Sequence, residues 1–506
     1  MMKSIPWLSL LIWTPILGAM LVLLLNNARN PLRAKLMSLF TLLVNIGLCV
    51  PLYYYFDPSL ASLQFNEQVA WLPTLGIRYA LGVDGLSVSL ILLSTLTTLI
   101  AIMATWRSIT ERVAQYHATF LIMQGLIVGV FSAVDAILFY VFWEATLIPM
   151  YLIIGIWGST NRIYAAIKFF LYTFLGSVMM LLALVYLGTE AGTFDLLHFY
   201  TLPLTMQAQT LIFVAFLLGF AIKVPMWPVH TWLPDAHTEA PAGGSIVLAA
   251  VLLKLGAYGF LRFSLPIVPD ACRALADMMV VLSIIAIIYI ALVAIVQRDM
   301  KKLIAYSSIS HMGFVTLGIF MIYRIFANSG SITAAGLGLE GAIFVMLSHG
   351  LVSGAMFAGV GFVYDRLHTR TISDLGGLVN SMPIFATLFI LFAMANVGLP
   401  GTSGFVGEFM VIVGSMKASF WVSFLAGTTL VFGAAYTLWM CKRVIFGEVK
   451  NAHAAHIPDI SGMEKAAFFI LAALVLGFGF YPQPVLTLLH ASTEHILALS
   501  HMSKLG

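Results

Sequence analysis

Apolar residues in this chain come in long unbroken runs separated by short polar stretches, and the runs are long enough to cross about 30 Å of hydrocarbon. They lie at Trp7–Leu25, Leu36–Tyr55, Leu86–Trp106, Ala118–Val134, Ala136–Trp157, Ala165–Leu187, Ala208–Lys223, Gly244–Phe263, Ala276–Val296, Leu303–Tyr323, Gly341–Tyr364, Pro383–Met416, Phe420–Trp439 and Ala466–Phe480. The pattern predicts about fourteen transmembrane helices. The first run sits behind Lys3 like a signal peptide, but it is too long for one and no clean A-x-A site follows, so it reads as a first span. No connection is long enough for a separate soluble domain. The expected fold is all-α integral membrane, with residues 1–506 forming one polytopic domain.

Two runs are interrupted. The seventh leads into KVPMWPVHTWLPDAHTEAPAGGS, Lys223–Ser245, where Pro225, Pro228 and Pro234 forbid a continuous helix. The twelfth holds GLPGTSGFVGEF, Gly398–Phe409, with four glycines and Pro400 inside an apolar stretch. Irregular backbone at membrane depth survives only where protein or a water-filled cavity covers it. Two breaks five spans apart predict two five-helix repeats, spans 4–8 (118–263) and 9–13 (276–439), followed by a C-terminal span and tail (466–506). An odd repeat length places the two units upside down relative to each other. Paired broken helices of this kind point to a transport pathway.

Composition confirms the solvent and removes other classes. Of 506 residues 61% are hydrophobic and 9% charged, so lipid must cover the surface. A net charge of +4 in so long a chain gives no reason to expect a nucleic-acid partner. Cys49, Cys272 and Cys441 lie far apart with no CxxC, offering neither an iron–sulfur cradle nor a disulfide framework. The GxGxxG, GxxxxGK[ST] and GxSxG motifs of soluble enzymes are missing from their required contexts. Taken in alternate connections, 16 Lys and Arg residues, among them Arg29, Arg298, Lys442 and Lys450, fall on one side, and seven, including Lys3, Arg78 and Lys504, on the other. The richer side is expected to face the cytoplasm, leaving both termini outside.

Ionisable residues inside spans are costly and usually functional. Glu144 lies in span 5, Lys223 before the first break, Lys254 in span 8, His311 in span 10 and His349 in span 11, while Glu408 follows the second break. Counted at about 1.5 Å per residue, their depths cluster near mid-membrane. Acid, amine and imidazole groups at one depth are what a proton relay needs, because each binds and releases a proton reversibly. Taken singly, each has a plainer reading: a structural histidine, a packing ion pair between Glu144 and Lys223, or Glu408 accepting amide bonds from the broken backbone. His230, Asp235, His237 and Glu239 are spaced temptingly for a metal, but the prolines around them argue against a rigid ligand helix. His230 and His237 are expected to line a polar cavity.

The motifs WPVHTWLPDAHTEAPAGGS, RDMKKLIAYSSISHMGF (Arg298–Phe314), SDLGGL (Ser373–Leu378) and GLPGTSGFVGEF closely resemble those of the antiporter-like subunits of respiratory complex I. The resemblance runs from about span 3 through span 13. It implies a proton-translocating subunit of an NADH:quinone oxidoreductase, with an acid–lysine pair at Glu144 and Lys223, a central lysine at Lys254 and an exit group at Glu408. The family's central histidines match His311 and His349 less strictly. It implies no cofactor in this chain, with NADH, FMN, iron–sulfur clusters and quinone held by partner subunits. It also implies two antiporter-like sister subunits as neighbours, and the bacterial inner membrane with periplasmic termini as the location. Within the family a glutamate at 408 is distinctive, since the sisters and the cation/proton antiporter subunits usually carry lysine there. The chain also lacks the long lateral helix of the largest sister. Two other readings of the residues stay open: a membrane scaffold that buries ion pairs, and a cation/proton antiporter.

Overall fold

The computed structural model describes residues 5–26, 30–449, 454 and 456–505. Lys3, Arg29 and Lys450, counted above for orientation, lie outside the described residues. Among the described residues, thirteen helices are long and apolar enough to cross a membrane. In chain order they are Trp7–Leu24, Leu32–Tyr54, Gly85–Ala104, Val113–Ser132, Ala136–Trp157, Arg162–Ala191, Met206–Lys223, Ala242–Ile267, Pro269–Ile295, Met300–Ser329, Ile332–Leu367, Phe420–Val444 and Met463–Phe480. Two shorter apolar helices, Pro383–Val397 and Ser403–Met416, are the halves of the interrupted twelfth span, so the order is the one the apolar runs predict.

Both interruptions fall where the breakers are. Span 7 stops at Lys223, a short helix resumes at Trp232–Glu239, and Pro241 precedes span 8. Pro234 sits in the first turn of that short helix, where its missing N–H costs nothing. Span 12 stops at Val397, and the chain crosses to Ser403 through Gly398 and Gly401, at φ +83° and +91°, a backbone that side-chain-bearing residues rarely adopt. Milder irregularities mark two other spans. In span 5 the α-helix lapses at Thr146, beside Glu144, because Pro149 cannot donate to the carbonyl four residues back. Span 8 holds two π-helical stretches, Leu248–Leu252 and Phe260–Ser264, which flank Lys254. Such stretches leave carbonyls free and favour functional sites.

The repeats carry a matching backbone signature. Asp135 caps span 5, accepting from the amides of Ile137 and Leu138, and forms an isolated antiparallel bridge with Asp195 beyond span 6. Asp299 caps span 10, accepting from Lys301 and Lys302, and bridges Thr371 beyond span 11. The bonds correspond one for one: Ala136 N to Phe194 O and Leu196 N to Val134 O in the first, Met300 N to Arg370 O and Ile372 N to Arg298 O in the second. Five spans separate them, so the bridges sit on opposite faces. The repeat is inverted.

The face bearing both termini, called here the terminal face, also carries two elements that the apolar runs do not show. One is a two-stranded antiparallel hairpin, β1 Gln64–Leu72 and β2 Ile77–Val83. Its Glu67 accepts from the amides of Leu8 and Ser9 at the start of span 1, and its Arg78 pairs with Asp195 at 2.5 Å. The other is a helix at Gln483–His501. Val485, Leu488, Leu489, Ser492, Thr493, Ile496, Leu497 and Ser500 form one buried stripe at helical spacing, so the tail is an amphipathic helix lying on the bundle.

On the opposite face Arg370 and Lys301 tie the repeats together. Arg370 donates from Nε to Asp299 at 2.6 Å and approaches Glu239 at 3.6 Å. Glu239, at the end of the first broken helix, also accepts from Ser159 Oγ and the Asn161 amide at 2.8 Å each. Beside it, the buried Lys301 ammonium donates to Ala240 O at 2.6 Å.

Candidate functional site

Spans 8, 10, 11 and 12 bring four of the predicted residues into one chain of contacts. Lys254 is wholly buried, and its ammonium donates to Ala249 O, within the first π stretch, at 2.6 Å. The same Nζ lies 2.8 Å from His349 Nδ1 on span 11. The rings of His349 and His311 are 5.7 Å apart. His311 Nδ1 in turn lies 2.6 Å from Glu408 Oε1, just past the second break. An amine, two imidazoles and a carboxylate thus follow one another from the first repeat into the second.

The last three share a small cavity of about 10 Å³, completed by Ser348, Asn396 and Gly404 among others. That is about the room one water molecule needs. Gly404 is required there: a Cβ would come within 2.0 Å of Ala395 O. Neither His311 Nε2 nor His349 Nε2 has a partner in the protein. A buried imidazole N–H or lone pair left unsatisfied is costly, so these atoms call for water.

Glu144 and Lys223 lie within electrostatic reach of each other but are not in direct contact. Lys223 Nζ has no hydrogen-bonding partner and neither does Glu144 Oε1. The ammonium instead lies over two aromatic rings, 5.4 Å from Trp143 and 5.7 Å from Phe169, whose π faces partly replace a counter-ion. Glu144 follows Trp143 in the helix and so points to a neighbouring sector of it, where it is half-buried at the bundle surface. The lapse at Thr146 accompanies that placement.

His237 is fully buried, stacked flat on Phe357 with ring centroids 4.2 Å apart, and both its nitrogens lack partners. His230 lies in the preceding turn with Nδ1 unpartnered. Neither lines the cavity shared by His311, His349 and Glu408. Asp235 pairs with Lys168 at 2.7 Å and Glu239 with Ser159, Asn161 and Arg370, so both carboxylates are engaged in holding the broken segment. Sequence reasoning missed Tyr436 and Asn396, which join Ser307 near the cavity: Tyr436 Oη lies 2.9 Å from Ser307 Oγ, and Asn396 Nδ2 donates to it at 3.2 Å. Their signal was weak, being a lone tyrosine and a lone asparagine inside apolar runs.

Comparison with known proteins fits this arrangement. Residues 133–433 match the family described as NADH:quinone oxidoreductase/Mrp antiporter, transmembrane region. NADH-quinone oxidoreductase subunit M of Rhodobacter capsulatus is 47% identical over 98% of this chain and 97% of its own length.

The chain belongs to the subunit M family.

NADH-ubiquinone oxidoreductase chain 4 of Marchantia polymorpha is 42% identical over 97% of both chains, so the likeness extends to that counterpart too. In three dimensions the chain superposes on a chain of respiratory complex I from Thermus thermophilus with a TM-score of 0.88 at 30% identity, covering 98% of this chain and 100% of that one. A chain of the Mrp complex of Dietzia sp. DQ12-45-1b shares the fold, with a TM-score of 0.81 at 22% identity over 97% and 98% of the two chains. The antiporter-like membrane fold is therefore common to subunit M relatives and to that more distant complex.

Proposed function

We propose that this chain is a proton-translocating membrane subunit of an NADH:quinone oxidoreductase, and that protons cross it through Glu144, Lys223, Lys254, His349, His311 and Glu408. The observation that carries the reading is the run Lys254–His349–His311–Glu408, in which every group can exchange a proton with the next directly or through one water. A scaffold needs no such series, because each buried charge would be satisfied by its own fixed partner. The glutamate at the far end and the likeness to subunit M relatives favour the oxidoreductase over a cation/proton antiporter.

Glu144 and Lys223 work as the electrostatic trigger. At about 4 Å and an effective dielectric near 20, two unit charges attract by about 4 kcal/mol. Moving one charge against 100 mV costs about 2.3 kcal/mol. Closing and opening the pair is therefore enough to drive one proton per stroke. Drawing the carboxylate in holds a proton on Lys223, and the separated arrangement releases it toward Lys254. The half-buried position of Glu144 supports a trigger worked by an adjoining antiporter-like subunit. Electron transfer from NADH to quinone, with its FMN and iron–sulfur clusters, belongs to other subunits. The setting is the bacterial inner membrane, with the terminal face periplasmic.

The test uses the assembled complex in proteoliposomes. His349→Ala removes the middle of the series and is expected to cut NADH-driven proton uptake to about a tenth or less, a barrier increase of about 1.4 kcal/mol or more, with all subunits retained. Normal pumping by that variant would overturn the relay.

A further inference from the structure

Beyond Lys254 on span 8 stands a second set of polar side chains, which ends in a buried ion pair. Tyr258 and Arg262 follow Lys254 at intervals of four residues on span 8, so the three side chains climb one side of the helix toward the terminal face. Arg262 stands about 12 Å above Lys254 by helical rise.

At its top lies a buried ion pair. Arg262 Nη2 meets Asp84 Oδ1 at 2.7 Å, with the two residues 7% and 3% exposed. Arg262 also donates from Nε to the Tyr258 hydroxyl and from Nη2 to Ser87 Oγ, each at 3.3 Å. The Tyr258 hydroxyl donates to Phe131 O at 3.1 Å, which fixes the phenol beneath the guanidinium. Asp84 caps span 3 by accepting from the Ser87 amide, and Tyr200 donates to the carbonyl of Arg262 at 2.9 Å.

The amphipathic tail helix closes the top. Its Ser492 Oγ accepts from the Gly85 amide at 2.9 Å, and the carbonyl of Leu488 lies so near Gly85 that a Cβ there would be 1.8 Å from it. Its His495 is within electrostatic reach of both Arg262 and Asp84. The groups facing the pair are thus Tyr258, Ser87 and Tyr200 from the bundle and His495 from the tail.

A guanidinium keeps its charge at any physiological pH and has no lone pair to accept a proton. A fixed arginine in a narrow polar passage repels protons, as it does in water-selective channels. We infer that Arg262, held in place by Asp84 and covered by the tail helix, is an electrostatic lock that closes the way from Lys254 to the terminal face and leaves His349 as the proton's route. The inference rests on the relay proposed above, with Arg262 in a positioning role that touches no transferred proton.

A purely structural ion pair predicts that losing either partner has the same effect, whereas a lock predicts asymmetry. In the reconstituted complex, Arg262→Gln should retain NADH:quinone electron transfer, lower the protons moved per NADH by about half or more, and raise passive proton leak severalfold. Asp84→Asn keeps the cation and should stay close to the parent ratio. The double variant Arg262→Gln/Asp84→Asn, which leaves no orphaned charge, should leak as the single one does and serves if the single one does not accumulate. Full coupling in Arg262→Gln or in the double variant, or equal impairment of Arg262→Gln and Asp84→Asn, would overturn the lock. Lys254→Met, measured alongside, separates the two ideas. Pumping lost in that variant leaves the relay standing whatever Arg262 does, and pumping intact removes the relay and the lock together.

Discussion

Lys254 on span 8 reaches out of the first repeat to His349 on span 11 of the second, with Nζ and Nδ1 2.8 Å apart. A charged Lys254 can only donate, so Nδ1 must then be the accepting nitrogen and the ring proton must sit on Nε2, which has no protein partner. A proton arriving at Nδ1 would free the one on Nε2 to move on. In the proposed relay, the contact that joins the repeats is also the step that passes charge between them.

Glu144→Gln keeps the shape of the side chain and removes its charge. The complex should assemble with normal electron-transfer subunits, and NADH-driven proton uptake should fall below about a tenth of the parent rate, a loss of at least about 1.4 kcal/mol in the barrier. Uptake by inverted membrane vesicles, read with a pH-sensitive dye, checks it. Unchanged uptake would make Glu144 a packing residue.

Glu408 distinguishes a proton carrier from an amide acceptor. Its carboxylate is bonded to His311, while the Gly398 and Leu399 amides of the broken segment are taken by Ala395 O and Met394 O. Glu408→Asp should therefore pump at a reduced rate, and Glu408→Gln should stop, because an amide keeps the bond to His311 but cannot carry a proton. An active, fully assembled Glu408→Gln complex would leave the exit unassigned.

Orientation is testable apart from mechanism. Single cysteines placed beside Arg298 and Lys442 should react with a membrane-impermeant maleimide only from the cytoplasmic side, and one beside Lys504 only from outside. The reverse pattern would invert the assignment of both faces.

The tail helix should loosen as pH rises. His490 Nδ1 lies 2.7 Å from Glu340 Oε1, and this hydrogen bond, aided by the charges of Glu340 and Glu494 and opposed by slight desolvation, holds the imidazole pKa above its ordinary 6.5. A raised pKa in the docked state means that the stabilisation is complete below about 6.5 and fades as pH climbs through the raised value. Amide protection factors across Gln483–His501 should drop through that window, and Glu340→Gln should abolish the drop. Protection independent of pH in the parent chain would refute the link.

The order of spans, both interruptions and the inverted repeat were legible because lipid imposes a coarse rule: runs of apolar residues must be helices, and breaks must be sheltered. The depth of Lys254, His311, His349 and Glu408 followed from counting residues, and these four do come together. What the pattern could not give was direction around each helix. The resemblance paired Glu144 with Lys223, and the two are within electrostatic reach, but which groups the ammonium touches, the rings of Trp143 and Phe169, depended on that direction. The hairpin escaped because its strands lack a two-residue Asn-Gly or Asp-Gly turn and are joined instead through Pro73–Leu75 and Gly76. The tail helix escaped because its apolar stripe is diluted by polar residues below any span threshold, although its spacing of three and four was there to be read.

Arg370 binds Asp299 of one repeat while approaching Glu239 of the other, and the Asp299–Thr371 bridge runs beside it. A carrier that works by tipping its halves against each other would have to tear this clamp open on every cycle. The proposed relay needs no such tipping: with the halves fastened, only side chains, water and charge would have to shift. In electrical terms the proposed relay is a wire with a switch, not a ferry, and its turnover would be governed by how fast a few buried groups reorient, not by the slow swing of whole helices.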